Sequence, residues 1–179
     1  MLISTRSSTA PIANTRLEIG SMSSWVPGYI QIFETLKKII SCEEGLIIED
    51  QVSEIHLAAD FLDLELEAYP IFEQDLWISK AHHSTNNYYR RKFNAVTVGR
   101  GDIMLRIYDK VLELCQAKHK QHFFKKIWDF KKYNEKPVTR VEFQIRRPVL
   151  KQITPTVSSF DDLQGVVFCN GCEVLVVMQ

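Results

Sequence analysis

The segment from Arg100 to Lys110 constrains the fold of this chain more strongly than any other. Gly99 and Gly101 flank its first residue, and glycines at this spacing are typical of a tight turn. Apolar and polar side chains then alternate, which predicts a strand whose apolar face carries Ile103, Leu105 and Ile107. Successive strand side chains point to opposite faces, so Arg106 and Tyr108 share the other face.

Two further segments predict strands with one polar face. Residues 138 to 147 alternate, and their polar face carries Arg140, Glu142, Gln144 and Arg146. Residues 52 to 61 also alternate, and one face of this predicted strand carries Val52, Glu54, His56, Ala58 and Asp60. The opposite face is clearly apolar from Ile55 to Phe61. Carboxylate and imidazole groups repeated along a strand face can hold a divalent cation.

The remaining periodicity predicts helices around these strands. We expect an amphipathic helix over residues 29 to 41, a second helix over 111 to 130 and a short one over 148 to 154. The fold class is therefore α+β, a mainly antiparallel sheet with helices packed on one face. Residues 1 to 28 are rich in Ser, Thr, Pro and Gly and are expected to be loosely ordered, residues 29 to 154 form the main domain, and residues 155 to 179 form a tail with a hairpin.

Charge is distributed unevenly along a chain whose formal net charge is zero. Residues 1 to 79 carry a net charge of −9, residues 80 to 151 carry +12 and residues 152 to 179 carry −3. The basic third is typical of a phosphate-binding surface, although it is also compatible with a basic face that pairs with the acidic first half. The candidate nucleic-acid contacts are Tyr88, Tyr89, Arg90, Arg91, Lys92 and Arg100.

The four cysteines are too few and too scattered for a disulfide scaffold, so we expect a reducing, cytoplasmic setting. Cys169 and Cys172 have the spacing of half a zinc site or a redox pair, but a turn that carries two cysteines explains them more simply. The chain has no run of about 18 apolar residues and no secretory leader, so we expect no membrane partner.

Three segments resemble the replication initiation factor family, which includes rolling-circle plasmid initiators, filamentous-phage initiators and related mobile-element relaxases. They are EIHLAADF at residues 54 to 61, VGRGDIMLRIYDK at residues 98 to 110 with Glu113, and TRVEFQIR at residues 139 to 146. The resemblance covers residues 30 to 152, and it identifies residues 29 to 154 as an initiator-like nicking domain with one sheet face open for DNA.

The resemblance implies a metal-dependent DNA nicking and joining enzyme. Tyr108 corresponds to the tyrosine that attacks the phosphodiester, and an arginine and a lysine close to it favour its phenolate form. Asp60 and Glu142 correspond to ligands of Mg²⁺ or Mn²⁺, and His56 occupies a position where the family usually has aspartate, a change that favours Mn²⁺. The catalytic cations would be Arg106, Lys110 and Arg140.

The implied partner is DNA, as a single strand or an extruded origin, with a host helicase and a second copy of the chain as further expected partners. Three alternatives stay open. The chain is a truncated, non-catalytic DNA-binding remnant of such an initiator, or it is a metal-dependent nuclease that leaves Tyr108 idle. On a purely structural interpretation, Asp60 and Glu142 form cross-strand ion pairs with Arg106 and Arg140, and Tyr108 is a strand-end tyrosine without a catalytic role.

Overall fold

A computed structural model describes residues 2–5, 15–20, 22, 28–43, 51–68, 79–132, 136–153 and 173–178. Within these ranges the chain forms strands β1 (Leu2–Thr5), β2 (Thr15–Ile19), β3 (Val52–Leu62), β4 (Ser84–Tyr89), β5 (Lys92–Val98), β6 (Ile103–Asp109), β7 (Val138–Arg146) and β8 (Glu173–Met178). The helices are α1 (Tyr29–Glu43), α2 (Lys110–Gln116), α3 (Lys118–Ile127) and α4 (Arg147–Ile153), with a 3₁₀ turn at Leu66–Ala68. The α+β class predicted from the sequence is confirmed.

The chain divides into two compact units, residues 1–57 with 144–179 and residues 58–143. In unit 1 the strand order is β1-β2-β8-β3-β7, to which β3 contributes its first part and β7 its last part. In unit 2 the order is β3-β7-β6-β5-β4, with the remaining parts of those two strands. The registers of β1 with β2, β2 with β8, β4 with β5 and β5 with β6 are all antiparallel.

Unit 1 differs from expectation at the N-terminus, where β1 and β2 lie inside the segment predicted to be loosely ordered. Backbone pairing, with Leu2 opposite Glu18, orders these residues in a way that composition does not reveal. Most of the predicted tail, residues 155–172 with Cys169 and Cys172, lies outside the described residues.

Helix α1 packs a narrow apolar stripe into the core of unit 1. Phe33 and Leu36 are buried there with side chains from β2, β3 and α4, whereas Ile30 and Ile39 are exposed. At 3.6 residues per turn the latter two lie about 90° to either side of the stripe's centre, at its edges. The predicted helix is thus confirmed and extends two residues further, to Glu43.

In β3 the buried side chains do not follow the predicted alternation. Val52, Ile55 and Ala58 are buried, so both faces of the strand carry packed residues, and Phe61, assigned to the core face, is largely exposed. A strand that packs on both faces loses the one-sided pattern that sequence periodicity detects.

In unit 2 the single helix predicted over residues 111 to 130 is two helices that meet at Ala117. The Asp109 carboxylate accepts a hydrogen bond from the Leu112 backbone N–H and caps α2. The Gln121 amide donates to the Leu114 carbonyl oxygen at 2.9 Å, which satisfies one of the free carbonyl groups where α2 ends. None of the described helices is long and apolar enough to cross a membrane.

Phe124 of α3 is the most completely buried aromatic ring described in unit 2, with no exposed surface, and it packs in a cluster with Leu114, Trp128 and Phe130. We predict that Phe124→Ala lowers the free energy of unfolding by about 3–5 kcal/mol, because it leaves a cavity that the aromatic neighbours cannot fill. Urea denaturation followed by circular dichroism measures the change.

Phe143→Ala is the matched control, since it removes the same atoms from a ring that is 40% exposed. We expect it to cost about 1 kcal/mol or less. Equal losses for the two variants would contradict the assignment of Phe124 to the core.

Candidate functional site

Strands β6 and β7 are neighbours in the sheet of unit 2, and they bring Arg106, Tyr108 and Glu142 together. The Tyr108 hydroxyl donates a hydrogen bond to Glu142 Oε2 at 3.0 Å. Arg106 Nη2 donates to Glu142 Oε1 at 2.5 Å. Glu142 is only 8% exposed, so its charge is compensated by these two donors rather than by bulk water. This is a phenol held against a carboxylate that can accept its proton.

The electrostatic surroundings of Tyr108 differ from those predicted. Burial raises the pKa of the phenol above its ordinary value, the Glu142 carboxylate raises that pKa further, and the Arg140 guanidinium opposes the increase. Tyr108 is therefore protonated at neutral pH, and the prediction that flanking cations favour phenolate is wrong. Arg106 directs its guanidinium to Glu142, and the Lys110 ammonium pairs with Glu113 and lies over the tyrosine ring.

Asp60 and Arg140 form a two-point ion pair in the same unit. Arg140 Nε donates to Asp60 Oδ1 at 2.6 Å and Nη2 donates to Oδ2 at 2.9 Å. The Trp128 indole N–H also donates to Oδ2, at 2.9 Å. Arg140 is 4% exposed, so this is a buried charge pair with its geometry fixed by three hydrogen bonds. The ion-pair alternative for Asp60 and Glu142 is thus what the structure shows.

Helix α3 covers these polar groups with an aromatic ring. The Lys110 Nζ atom lies 4.9 Å from the centroid of Phe124, and the Arg140 Cζ atom lies 5.2 Å from it. Lys110 also bonds Glu113 Oε2 at 2.7 Å and is almost wholly buried. Cations over a ring face are attracted by its quadrupole, so Phe124 stabilises both charges where water is excluded.

Sequence reasoning missed the contribution of Phe124 and Trp128, because Phe124 belongs to the apolar stripe of the predicted helix and Trp128 was only part of that helix's range. One signal was present for Trp128, since a buried indole N–H requires an acceptor. The acceptor is Asp60, which was assigned to metal binding instead.

In unit 1, His56 belongs to a different cluster. Its Nε2 atom lies 2.7 Å from Glu54 Oε1, while Glu54 Oε2 accepts hydrogen bonds from Gln144 Nε2 at 2.7 Å and Arg146 Nε at 3.0 Å. Burial alone would raise the pKa of Glu54, but the hydrogen bonds from His56, Gln144 and Arg146 outweigh it and hold that pKa below its ordinary value. Glu54 is therefore ionised at neutral pH and is the centre of this cluster.

The side chains predicted to bind a metal do not fit that task as they are arranged. Both Asp60 oxygens accept from Arg140 or Trp128, both Glu142 oxygens accept from Arg106 or Tyr108, and His56 Nε2 faces Glu54. In the described part of the chain no three His, Cys, Asp or Glu residues lie close enough to hold an ion together. Lone pairs used in ion pairs and hydrogen bonds must be released before they can coordinate a metal.

The predicted nucleic-acid contacts are surface residues, and five of them lie together at the β4–β5 hairpin. Tyr88 is 62% exposed, Arg90 lies over the ring of Tyr89 at 5.3 Å, and Lys92 pairs weakly with Glu67 at 3.8 Å. Arg100 is also exposed, but it follows β5 and lies at the opposite end of that strand from Arg90 and Arg91. The hairpin end therefore concentrates two tyrosines and three cations, and Arg100 belongs to a separate surface.

Comparisons with protein-family models, with curated proteins and with solved structures found no match for this chain. The likeness to replication initiators accordingly rests on the three sequence segments alone and stays a prediction.

We predict that Glu54→Gln destabilises the protein at neutral pH and that the difference from the wild type shrinks in acid. The folded-state pKa of Glu54 is depressed, so its stabilising contribution is present above the ordinary value of 4.5 and is lost as the pH falls through the folded-state value. Urea denaturation at a series of pH values from 7 downward measures the effect.

The control is Glu67→Gln, which changes an exposed carboxylate with a cation 3.8 Å away. Its effect on unfolding should be small at every pH. A Glu54→Gln difference that grows as the pH falls would show that the carboxylate is not stabilised in its ionised form.

Proposed function

We propose that this chain is a rolling-circle replication initiation protein that nicks and rejoins DNA through Tyr108. The observation that carries the proposal is the hydrogen bond from the Tyr108 hydroxyl to Glu142, a buried carboxylate that Arg106 holds in place. A nucleophile, a base within hydrogen-bond reach and a third group that orients the base are the parts required for covalent catalysis.

In the proposed reaction Glu142 accepts the phenolic proton as the Tyr108 oxygen attacks the phosphorus of a DNA phosphodiester. The bond from phosphorus to the 3′ oxygen breaks, that oxygen takes a proton from water, and the 5′ end stays joined to the tyrosine as a phosphodiester. In the reverse step a 3′ hydroxyl gives its proton back to hydroxide as it attacks the phosphotyrosine, the bond from phosphorus to the tyrosine oxygen breaks, and Glu142 returns its proton to Tyr108. The covalent intermediate keeps the energy of the phosphodiester, so joining requires no other source.

The three predicted catalytic cations contribute differently. The side chain of Arg106 is 37% exposed, whereas those of Lys110 and Arg140 are almost wholly buried in their own ion pairs. Arg106 is therefore the cation that a phosphate reaches first, and its planar guanidinium suits the geometry of phosphate oxygens. Lys110 and Arg140 act as fixed positive charges near the phenol, and they favour the extra negative charge of the transition state.

The partner of the proposed enzyme is DNA, presented as a single strand or as an extruded origin, and a host helicase and a second copy of the chain are further proposed partners. The proposed setting is cytoplasmic. The Mg²⁺ or Mn²⁺ cofactor stays a prediction. It enters none of the steps above because its expected ligands Asp60, Glu142 and His56 are engaged with Arg140, Arg106 and Glu54, respectively. Chelation with EDTA followed by addition of Mn²⁺ tests it, since nicking that stops and then returns requires an ion.

A second function is favoured by the same site. Two carboxylates engaged in ion pairs and a phenol whose pKa is raised are also what a purely structural polar cluster contains. On that basis the chain would be a truncated, non-catalytic DNA-binding or regulatory remnant of an initiator. It would use the basic hairpin to bind DNA and would leave Tyr108 chemically idle.

We predict that Tyr108→Phe abolishes the covalent protein–DNA product, because the attacking oxygen is lost. Glu142→Gln should lower the nicking rate by about 10²–10⁴-fold, the range expected for removal of a general base. The measurement is a denaturing gel of supercoiled and single-stranded DNA after incubation with Mn²⁺. Tyr88→Phe is the matched control, since it removes a hydroxyl from an exposed tyrosine and should leave the covalent product unchanged.

Two results would contradict the nicking proposal in different ways. DNA that is retarded in a native gel but never nicked identifies the non-catalytic remnant. Nicking that is equally fast in Tyr108→Phe identifies a nuclease without a covalent intermediate.

A further inference from the structure

Beside the basic hairpin, unit 2 contains an open cavity of about 300 Å³. Its walls come from the β4–β5 hairpin, the 3₁₀ turn, the start of α2 and the start of β7, and they include Leu66, Tyr89, Arg90, Phe93, Asn94 and Thr139. The volume lies at the small end of the range for ligand sites, which suits a nucleobase better than a larger cofactor. The lining mixes apolar and aromatic residues with charged ones, among them Glu65, Glu67 and Asp109, and its aromatic rings are of the kind on which a flat base packs.

Asn94 occupies a special position in this wall. Asn87 pairs with Ala95 and the next residue, Tyr88, pairs with Phe93, so Asn94 is the extra residue of a β-bulge. A bulge redirects a side chain away from the regular alternation of its strand. The Oδ1 atom of Asn94 is buried and receives no hydrogen bond from any residue that the structure describes. A buried acceptor without a donor costs free energy, which a ligand that donates a hydrogen bond recovers.

The hairpin turn places cations beside the cavity at a conformational cost. Arg90 and Arg91 are the two central residues of the turn, and both have positive φ, at 49° and 69°. A two-residue turn of this kind favours Asn-Gly, because a β-carbon is disfavoured at positive φ. Arginine in both positions therefore lowers the stability of the turn and places two exposed positive charges there. Arg90 also lines the cavity. Such strain is characteristic of functional segments.

We propose that this cavity receives one unpaired base of the bound DNA strand and prefers a base with an exocyclic amino group. The amino group donates to Asn94 Oδ1, the ring packs against Tyr89 and Phe93, and Arg90 and Arg91 neutralise the flanking phosphates. The inference rests on the proposed binding of single-stranded DNA, and it adds a base-reading site to it. Adenine, cytosine and guanine carry an exocyclic amino group, whereas thymine offers only an N3–H flanked by two carbonyl oxygens that Asn94 Oδ1 repels.

The direct test uses the wild-type protein and fluorescence anisotropy. The probes are an oligothymidine and the same oligomer with one central dA, dC or nebularine, a purine nucleoside that lacks the amino group. We expect the dA and dC oligomers to bind about 3–10-fold more tightly than the oligothymidine and the nebularine oligomer, the effect of one recovered hydrogen bond. Equal affinity for all four oligomers overturns the inference and leaves the nicking proposal standing. Binding of none of them overturns both.

Variants separate base reading from phosphate binding. Asn94→Leu removes the acceptor at similar size and should abolish the preference for dA over thymine and nebularine. Asn87→Leu, the same change at an exposed position of β4, is the control and should keep the preference. Arg90→Gln with Arg91→Gln should weaken binding of all oligomers to a similar degree. A preference for dA that survives in Asn94→Leu contradicts the assignment of Asn94.

A competition experiment distinguishes binding of a DNA strand from binding of a free nucleotide, since dAMP carries the same amino group as the dA oligomer. We expect dAMP to displace the dA oligomer only at concentrations far above that of the oligomer, because it lacks the neighbouring phosphates. Displacement by dAMP at concentrations comparable to those of the oligomer would make the cavity a nucleotide site and overturn the proposal of a strand base.

Discussion

The structure of unit 2 depends on one constraint, that a carboxylate taken out of water must be given cations and hydrogen-bond donors in return. Strand β7 places Arg140 and Glu142 two residues apart in the interior, so two opposite charges are buried from one strand. Neighbouring strands supply the partners, Arg106 and Tyr108 from β6 for the carboxylate, and Asp60 from β3 for the guanidinium. Loss of one partner would leave an uncompensated buried charge, which is far more costly than the loss of a surface pair. The relative positions of β3, β6 and β7 are fixed accordingly.

Helix α3 is placed by the same constraint. The helix contributes an aromatic ring, Phe124, which packs over Lys110 and Arg140, and the chain after it contributes the Trp128 N–H to Asp60. An aliphatic side chain at position 124 would exclude water equally well but would offer no attraction to the two cations. The aromatic ring of Phe124 is therefore suited to the charged side chains of Lys110 and Arg140 that it covers. This explains why the polar face of β7 is more buried at Arg140 and Glu142 than its apolar face is at Phe143.

The sequence predicted a good part of this arrangement, because alternation in residues 103 to 109 and 138 to 146 places the correct side chains on common faces. The strand limits agree with the structure to within a few residues, and the helix α1 stripe is correct apart from its edges. Periodicity could not show which face of a strand is covered, and so the buried set of β3 and the exposed Phe143 were missed. Nor could spacing along the chain show that the Tyr108 phenol is buried against Glu142, which raises its pKa. The bulge at Asn94 is a property of the pairing of β4 with β5 and has no local sequence signal.

The same carboxylate explains how a protonated, half-buried phenol can be part of a reactive site. Glu142 is held between Arg106 and Tyr108, and the arginine compensates its negative charge. On the proposed mechanism, a DNA phosphate that binds the partly exposed Arg106 competes with Glu142 for that guanidinium. The residue that recruits the phosphate is then also the residue that holds the carboxylate before the phosphate arrives. On the proposed mechanism, the ion pair between Arg106 and Glu142 keeps the site inactive in the absence of DNA. Its partial replacement by an Arg106–phosphate contact allows Glu142 to accept the Tyr108 proton.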